Sequence, residues 1–456
     1  MNISVIKNKK CARRGRSGAV LAALCLLGFA LENTAGAVTH GETAFPGAIG
    51  FGVDTPGGRG GRVIKVTNLD AAGPGSFAEA VQTAGARVVV FEVGGVIDLD
   101  GTVLKISQPF LTIAGQTAPS PGISIIRGGV SISTHDVVVR HLRVRIGDLD
   151  GTGRKGWEPD AMATTSGWNV VVDHCSFAWA IDENLSASGP RFDGETVADW
   201  RKNTSHDITF SHCIVAEGLS HSSHARGEHS KGTLIHDNTR RIAVIGNLYA
   251  SNAERNPLFK GGTQGIVVNN LIDNPKAKAM HYNLMAHEWT THPYVDGEMA
   301  VVGNVLQYGP DTADNCPVLI VRGDGRLNLY IDDNLVFNRA GRAETPTYAV
   351  LFQAQKPANT VGVTRLDAAP VWPAGFHAIP AAEVRERVLK DAGARPWDRD
   401  VVDRRIIGQV TEHRGRIIDS QTQVGGYPHE AMTTRKLAVP AGDIEAWLAE
   451  FAAGPK

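Results

Sequence analysis

Several features that define large classes of protein are scarce in this chain of 456 residues. Aromatic residues make up only 6% of the chain. The formal net charge is −1, which argues against a generally basic nucleic-acid binder. No apolar run after residue 40 reaches the ~20 residues that cross a bilayer, which excludes a multi-span membrane protein. Five cysteines, two of them in the first 37 residues, are too few for a disulfide framework. The fold must therefore be held together by its core.

What the chain has in quantity is apolar residues and glycine. Hydrophobic residues make up 42% and charged residues 20%, so a large buried core is available and wholesale disorder is not expected. Fifty-one glycines beside so few aromatic residues favour short repeated strands and many turns over a helical bundle.

The N-terminus resembles a secretory leader. Residues 7–16 carry six positive charges, the apolar run GAVLAALCLLGFA follows, and Ala35-Gly36-Ala37 provides a small-residue exit. This order predicts a signal peptide over residues 1–37 and a secreted protein, extracellular or periplasmic. A membrane anchor is the alternative, against which the short apolar run argues.

The most informative pattern is a degenerate repeat. Seven segments rich in β-branched residues recur 23 to 38 residues apart, with no amphipathic helix between most of them. They are DVVVRHLRVR from Asp136, NVVVDHCSFA from Asn169, DITFSHCIVA from Asp207, RIAVIGNLYA from Arg241, QGIVVNNLID from Gln264, EMAVVGNVLQ from Glu298 and NLYIDDNLVF from Asn328.

Aligning these segments places one residue of each in a single column: Leu142, Cys175, Cys213, Asn247, Asn270, Asn304 and Asn334. Stacked strands lie ~4.8 Å apart, so amides at one position can hydrogen-bond from coil to coil. The column therefore predicts an internal ladder in a parallel β-helix. A β-propeller is the rival, but it requires antiparallel hairpin turns that the sequence hardly shows.

The two ends of the chain differ from these repeats. Near the start, GSFAEAVQTAG predicts a short amphipathic helix that begins after Ser76 and covers the exposed first coil. Residues 366–456 are richer in helix formers, as in PAAEVRERVLKDAGA and AGDIEAWLAEF. We therefore predict an all-β protein, a right-handed parallel β-helix over residues 38–365 with an N-terminal capping helix. Residues 366–456 form helical and irregular segments packed on its outside.

Four motifs together resemble the pectate lyases of the first polysaccharide lyase family. They are LTIAGQTAP, VVVDHCSFAWAIDEN, KGTLIHD and AERNPLFKGG, and the resemblance runs from about Ala44 to Tyr427. It implies cleavage of polygalacturonate by β-elimination, in which a base removes the proton α to a carboxylate. That chemistry calls for a cation to neutralise the carboxylate and for cationic side chains to hold the polymer.

The resemblance also implies roles for three cations. Arg255 matches the R-x-P motif that carries the family's proton-abstracting arginine, an unusual base because an arginine pKa exceeds ~12. Lys260 falls where the family often has a second arginine that binds substrate, and Lys231 matches the substrate-contacting lysine of K-x-x-L-I. The alternative for all three is a solvated loop charge.

For the metal, the resemblance implies Ca²⁺ bound by acidic residues, since hard cations prefer oxygen ligands. Asp160 and Asp182 match two ligand positions, and a third is expected where this chain has Ser186. Glu183 or Glu158 could take that place. A zinc site among His221, His224 and His229 is an alternative use of this region.

The sequence leaves other functions open. A pectin lyase, a lyase for another uronate polymer, and a non-catalytic carbohydrate-binding or adhesion β-helix compete with the pectate lyase. A hydrolase would need a pair of carboxylates flanking the bond, which the sequence does not separate from the acids of the metal site. The predicted partner is acidic plant cell-wall polysaccharide, with no nucleic acid, no membrane after processing, and a monomeric state.

Overall fold

The computed structural model describes residues 43–151, 155–351 and 361–454. The predicted signal peptide over residues 1–37 lies outside the described residues. Numbered in chain order, the strands of these ranges form three sheets.

Sheet 1 has eleven strands, in spatial order β1 (Arg62–Val66), β2 (Arg87–Phe91), β5 (Leu111–Ala114), β8 (His135–Arg140), β11 (Trp168–Asp173), β14 (His206–Ser211), β17 (Arg240–Ile245), β20 (Gln264–Val268), β23 (Gly297–Val302), β26 (Arg326–Asp332) and β30 (Gly362–Arg365). Sheet 2 has nine: β4 (Val103–Ile106), β7 (Gly129–Ile132), β10 (Met162–Thr165), β13 (Glu183–Ser188), β16 (Lys231–Ile235), β19 (Leu258–Lys260), β22 (Met280–Leu284), β25 (Leu319–Gly323) and β29 (Tyr348–Leu351). Sheet 3 has eleven: β31 (Thr433–Thr434), β3 (Val93–Asp98), β6 (Ile123–Ile126), β9 (Leu142–Arg145), β12 (Ser176–Ala178), β15 (Ile214–Ala216), β18 (Leu248–Ala250), β21 (Leu271–Asp273), β24 (Val305–Gln307), β27 (Leu335–Phe337) and β28 (Ala343–Glu344).

The connectivity is that of a parallel β-helix. From β2 to β27, successive strands along the chain belong to different sheets, and each pairs in parallel with the equivalent strand of the next coil, as β11 does with β8 and β14. Within the described residues only β28 and β31, at the ends of sheet 3, pair antiparallel. The predicted parallel β-helix is confirmed.

The asparagine ladder is present inside this solenoid. The backbone and side-chain amides of Asn247 donate to Asn270 Oδ1 at 2.9 Å, and Asn270 and Asn304 repeat both contacts to the next asparagine at 3.0 Å. Asn334 ends the row, and all four side chains are buried. At the other end the backbone N–H of Cys213 donates to Asn247 Oδ1 at 2.8 Å. Cys175 and Cys213 are buried free thiols.

A second column explains the sharp bend between sheets 1 and 3. The residue before each ladder position has a positive φ, between +46° and +67°: His141, His174, His212, Gly246, Asn269, Gly303 and Asp333. This left-handed conformation suits glycine and asparagine and is rare for other residues. This conformation bends the chain at a single residue, so the side chain of the next residue points into the core.

Six helices accompany the strands in the described residues: α1 (Phe77–Gln82), α2 (Val197–Asn203), α3 (Ala286–Trp289), α4 (Ala381–Asp391), α5 (Val401–Thr411) and α6 (Ile444–Ala452), with 3₁₀ turns at Gly115–Thr117 and Gln421–Val424. Helix α1 begins where predicted, because Ser76 Oγ accepts from the Glu79 N–H at 3.2 Å. None of these helices is both long and apolar enough to cross a membrane.

Residues 366–454 pack along the outside of the solenoid, and α5 is held there by buried ion pairs. Asp403 Oδ1 accepts from Arg145 Nη2 at 2.8 Å, and Asp400 Oδ1 accepts from the same atom at 3.0 Å. Arg143 lies beside them, and all four side chains are at most 1% exposed. Charges this deeply buried need partners, so the pairs fix the position of α5 on sheet 3.

Candidate active site

The residues predicted from the motifs lie along sheet 2. Asp160 precedes β10, Asp182 precedes β13, Glu183 begins β13, Lys231 begins β16, Arg255 precedes β19, and Lys260 ends β19. Because equivalent positions of parallel coils lie side by side, residues from sequence positions 160 to 255 are brought together, whereas Lys260 lies at the other end of β19 from Arg255. The alternation of β19 shows how: Phe259 is fully buried in the core, whereas Lys260 points to the opposite face.

Three carboxylates converge at the start of this row. An oxygen from each of Asp160, Asp182 and Glu183 lies within 4.8 Å of the others. Asp160 Oδ1 accepts from the Glu183 N–H at 3.0 Å, and its Oδ2 accepts from the hydroxyl of Ser186. Burial, followed by the charge of Asp182, raises the pKa of Asp160 to about 7. A cation bound between these oxygens would relieve that repulsion, so the group fits a hard metal ion.

Asp182 also belongs to a second group. Its Oδ1 lies 2.6 Å from His229 Nε2 and 3.7 Å from His224 Nε2, and the two imidazole rings stack with centroids 3.6 Å apart. Burial opposes ionisation of Asp182, but the hydrogen bond and charge of His229 and the charge of Arg255 together hold its pKa below the ordinary value. Asp182 is therefore the carboxylate that links the acidic group to the histidines.

Glu158 lies beside His224 and is not one of the three converging carboxylates. Its Oε1 accepts from the Ala225 N–H at 2.6 Å, and its Oε2 is 3.6 Å from His224 Nε2. His224 Nδ1 accepts from the Arg226 N–H at 3.1 Å, so its proton is on Nε2. A zinc-bound imidazole has the opposite arrangement, with its second nitrogen donating. This geometry disfavours the alternative zinc site, and His221 instead contacts Asp419.

Arg255 lies directly against the acidic group. Its guanidinium forms an ion pair with Glu183, and its backbone N–H donates to His281 Nε2 at 3.4 Å. Burial lowers the pKa of Arg255, while the charges of Asp182 and Asp160 oppose that shift. Its φ of +64° is unusual for a residue other than glycine and costs on the order of 1 kcal/mol.

The two lysines are each held by carboxylates from neighbouring coils. Lys231 Nζ pairs with Glu254, which also pairs with Lys278. Burial alone would raise the pKa of Glu254, but His281 and the two lysines hold it well below its usual range. Lys260 Nζ pairs with Glu288 and lies 3.5 Å from Asp237 Oδ2.

The sequence motifs gave no role to Glu254 or Glu288, and of the two only Glu254 lies in a quoted motif, AERNPLFKGG. Glu254 is adjacent to Arg255, and Glu288 lies 28 residues beyond Lys260. The spacing of coils, which places residues about 23 to 38 positions apart side by side, is the signal that could have identified them.

The chain is similar to known proteins both in sequence and in structure. No family model matches the chain. It is 32% identical over 387 residues to a probable pectate lyase C of Neosartorya fischeri, covering 84% of this chain and 81% of the relative. A probable pectate lyase C of Aspergillus flavus is 31% identical over 394 residues, covering 85% and 82%. A solved structure of a pectate lyase bound to hexasaccharide shares the fold, with a TM-score of 0.50, 13% identity, and coverage of 78% of this chain and 99% of that one.

The expected resemblance is thus confirmed over most of the chain. Curated relatives share about a third of its residues across more than four fifths of their length, and a solved pectate lyase has the same fold. A parallel β-helix that carries a converging carboxylate group and an adjacent arginine on one face agrees with both observations. On these grounds the protein belongs to the pectate lyase family.

Proposed function

We propose that this protein cleaves de-esterified polygalacturonate by Ca²⁺-assisted β-elimination and releases unsaturated oligogalacturonates. The observation that carries the proposal is the contact between Arg255 and the carboxylate group. A metal-assisted elimination needs a cation beside the substrate carboxylate and a base beside the adjacent carbon, and this face of sheet 2 offers both within one cluster.

Asp160, Asp182 and Glu183 would hold the calcium ion, and Glu158 lies nearby, beside His224. Bound there, the ion would neutralise a uronate carboxylate and so acidify the proton on the adjacent ring carbon. Ser186, at the position of the expected third ligand, donates its hydroxyl to Asp160 and supplies no charge. Glu183 is shared between the ion site and Arg255, which makes the acid–arginine pair the link between metal binding and catalysis.

Arg255 takes the proton from the carbon α to the carboxylate. The electron pair of that C–H bond forms a carbon–carbon double bond to the neighbouring ring carbon, and the glycosidic oxygen leaves with the other sugar. Burial favours the neutral form of Arg255 by lowering its pKa. Lys231 and Lys260 bind carboxylates of neighbouring units, exchanging their protein carboxylates for those of the substrate.

The remaining parts of the proposal concern context. The partner is acidic cell-wall polysaccharide, bound by a monomer that is secreted by the leader over residues 1–37. A pectin lyase, which acts on methyl-esterified polymer without calcium, is the second candidate. The carboxylate group argues against it, because a neutral ester gives a metal site no partner charge.

One assay separates these candidates. The protein is incubated with polygalacturonate or with methyl-esterified pectin, with Ca²⁺ or with a chelator, and ultraviolet absorbance follows the unsaturated product. We expect absorbance to rise with polygalacturonate and Ca²⁺ and to stay flat with chelator. Chelator-resistant cleavage of the ester would identify a pectin lyase, and binding without unsaturated product from any uronate polymer would identify a non-catalytic protein.

A further inference from the structure

The outward face of sheet 2 continues beyond the residues assigned so far. Lys260 pairs in register with Asn283 on β22, and Asn283 pairs with Arg322 on β25. Tyr282 and Val321, which precede them, are buried in the core, so Asn283 and Arg322 face outward beside Lys260. These three residues form a line along the solenoid axis, one residue per coil.

Asn283 has a buried amide that the protein does not satisfy. The residue is only 6% exposed, yet its Oδ1 accepts no hydrogen bond from the described residues. Leaving such a group unpaired costs roughly 1–3 kcal/mol, and native proteins rarely tolerate it without a reason.

Arg322 is unpaired as well. Its Nε is buried without an acceptor, and no carboxylate of the described residues lies within 4.0 Å of its guanidinium. Residues 352–360, which follow the neighbouring strand, contain no aspartate or glutamate. Arg255, Lys231 and Lys260 all have protein carboxylates as partners, so Arg322 differs from these three cations of sheet 2.

We propose that Asn283 and Arg322 form a further subsite, which binds the carboxylate of a uronate unit beyond the unit held by Lys260. The guanidinium fork of Arg322 matches a carboxylate in two parallel hydrogen bonds, and the amide of Asn283 pairs with a hydroxyl of the same unit. The inference rests on the proposed function and extends it: the cleft follows the axis for two coils past Lys260 and favours longer polymer.

The test compares chain lengths. We measure kcat/KM on trigalacturonate and hexagalacturonate for the wild type, Arg322→Ala, Arg322→Lys and Asn283→Ala. Arg326→Ala is the matched control, because it also removes an arginine but lies on sheet 1 with 61% of its side chain exposed. Circular dichroism and the thermal midpoint verify the fold of each variant.

We expect the ratio of hexamer to trimer kcat/KM to fall roughly tenfold or more in Arg322→Ala, since a charge-assisted pair is lost. Asn283→Ala and Arg322→Lys should give smaller falls, and Arg326→Ala none. A ratio that stays at the wild-type value in Arg322→Ala, or an equal loss on both oligomers, overturns the subsite.

If the proposed function itself is wrong, the assay gives a different result. In that case the wild type cleaves neither oligomer, and calorimetric binding of the same two oligomers then decides the subsite. Hexamer affinity that is weakened in Arg322→Ala but not in Arg326→Ala supports it, and equal affinity in both refutes it.

Discussion

Interrupting the asparagine ladder at Asn270 should destabilise the whole solenoid, and the structure indicates by how much. Asn270 Oδ1 accepts two hydrogen bonds from Asn247, one from the backbone N–H and one from the side chain, both at 2.9 Å. Asn270→Ala removes this acceptor in a region with no solvent exposure. Two buried donors without partners cost roughly 1–3 kcal/mol each, so we expect a loss of about 4 kcal/mol.

The measurement is equilibrium unfolding in urea, followed by tryptophan fluorescence and by far-ultraviolet circular dichroism, after reversibility has been established. Asn328→Ala serves as the control, because Asn328 is half-buried on β26 and its side chain makes no hydrogen bond with the described residues. That variant should remain within about 0.5 kcal/mol of wild type. A loss below about 1 kcal/mol in Asn270→Ala would show that water replaces the amide, and the ladder would then be unimportant for stability.

Three further predictions concern the site and the core. Arg255→Lys should lose nearly all turnover yet bind oligogalacturonate with similar affinity, because misplacing a base by ~1 Å costs ~100-fold in rate; vigorous turnover would leave the base unidentified. Asp160→Ala and Asp182→Ala should each raise the Ca²⁺ concentration needed for half-maximal activity, and unchanged calcium dependence would refute the ligand assignment. Burial raises the pKa of Asp273 to about 7, so the folded protein binds this proton more tightly than the unfolded chain, and stability falls as pH rises from ~4 through 7. Asp273→Asn should therefore raise the thermal midpoint at pH 8 but not at pH 4, and equal shifts at both would contradict this.

The fold could be predicted because the sequence pattern that specifies it repeats from coil to coil. Each coil repeats the same short strands and the same ladder position, so a column containing Asn247 and Asn270 can be found without knowing any contact. Motifs placed Asp160, Asp182 and Arg255 on neighbouring coils for the same reason, and the structure brings their side chains together.

Long-range partners could not be predicted in this way. Arg143 and Arg145 alternate with apolar residues and look like the solvent-facing side of an ordinary strand. They are fully buried because α5, some 260 residues later, supplies Asp400 and Asp403 above them. Neither segment shows this pairing locally, because each has the residue pattern expected of its own strand or helix. Arg322 was missed for a similar reason, because only the register shows which row it joins.

The path of the C-terminal segment has a consequence for cooperativity. A solenoid whose coils touch only their neighbours can unravel from one end, a few coils at a time. Here the segment runs back along the outside: Arg385 of α4 donates to Gln307 near the last coils. Arg395 further along donates to the carbonyls of Gln116 and Ala118, and Arg435 donates through its backbone to Glu92 in the first coils.

The C-terminal segment therefore contacts coils that are distant from one another along the axis. Unfolding of the coils at one end would also disturb its contacts with the coils at the other end. We expect this bracing to turn a chain of separately melting coils into a unit that unfolds in a single step. Such bracing would also keep the spacing of the coils constant along the face of sheet 2 that carries the candidate site.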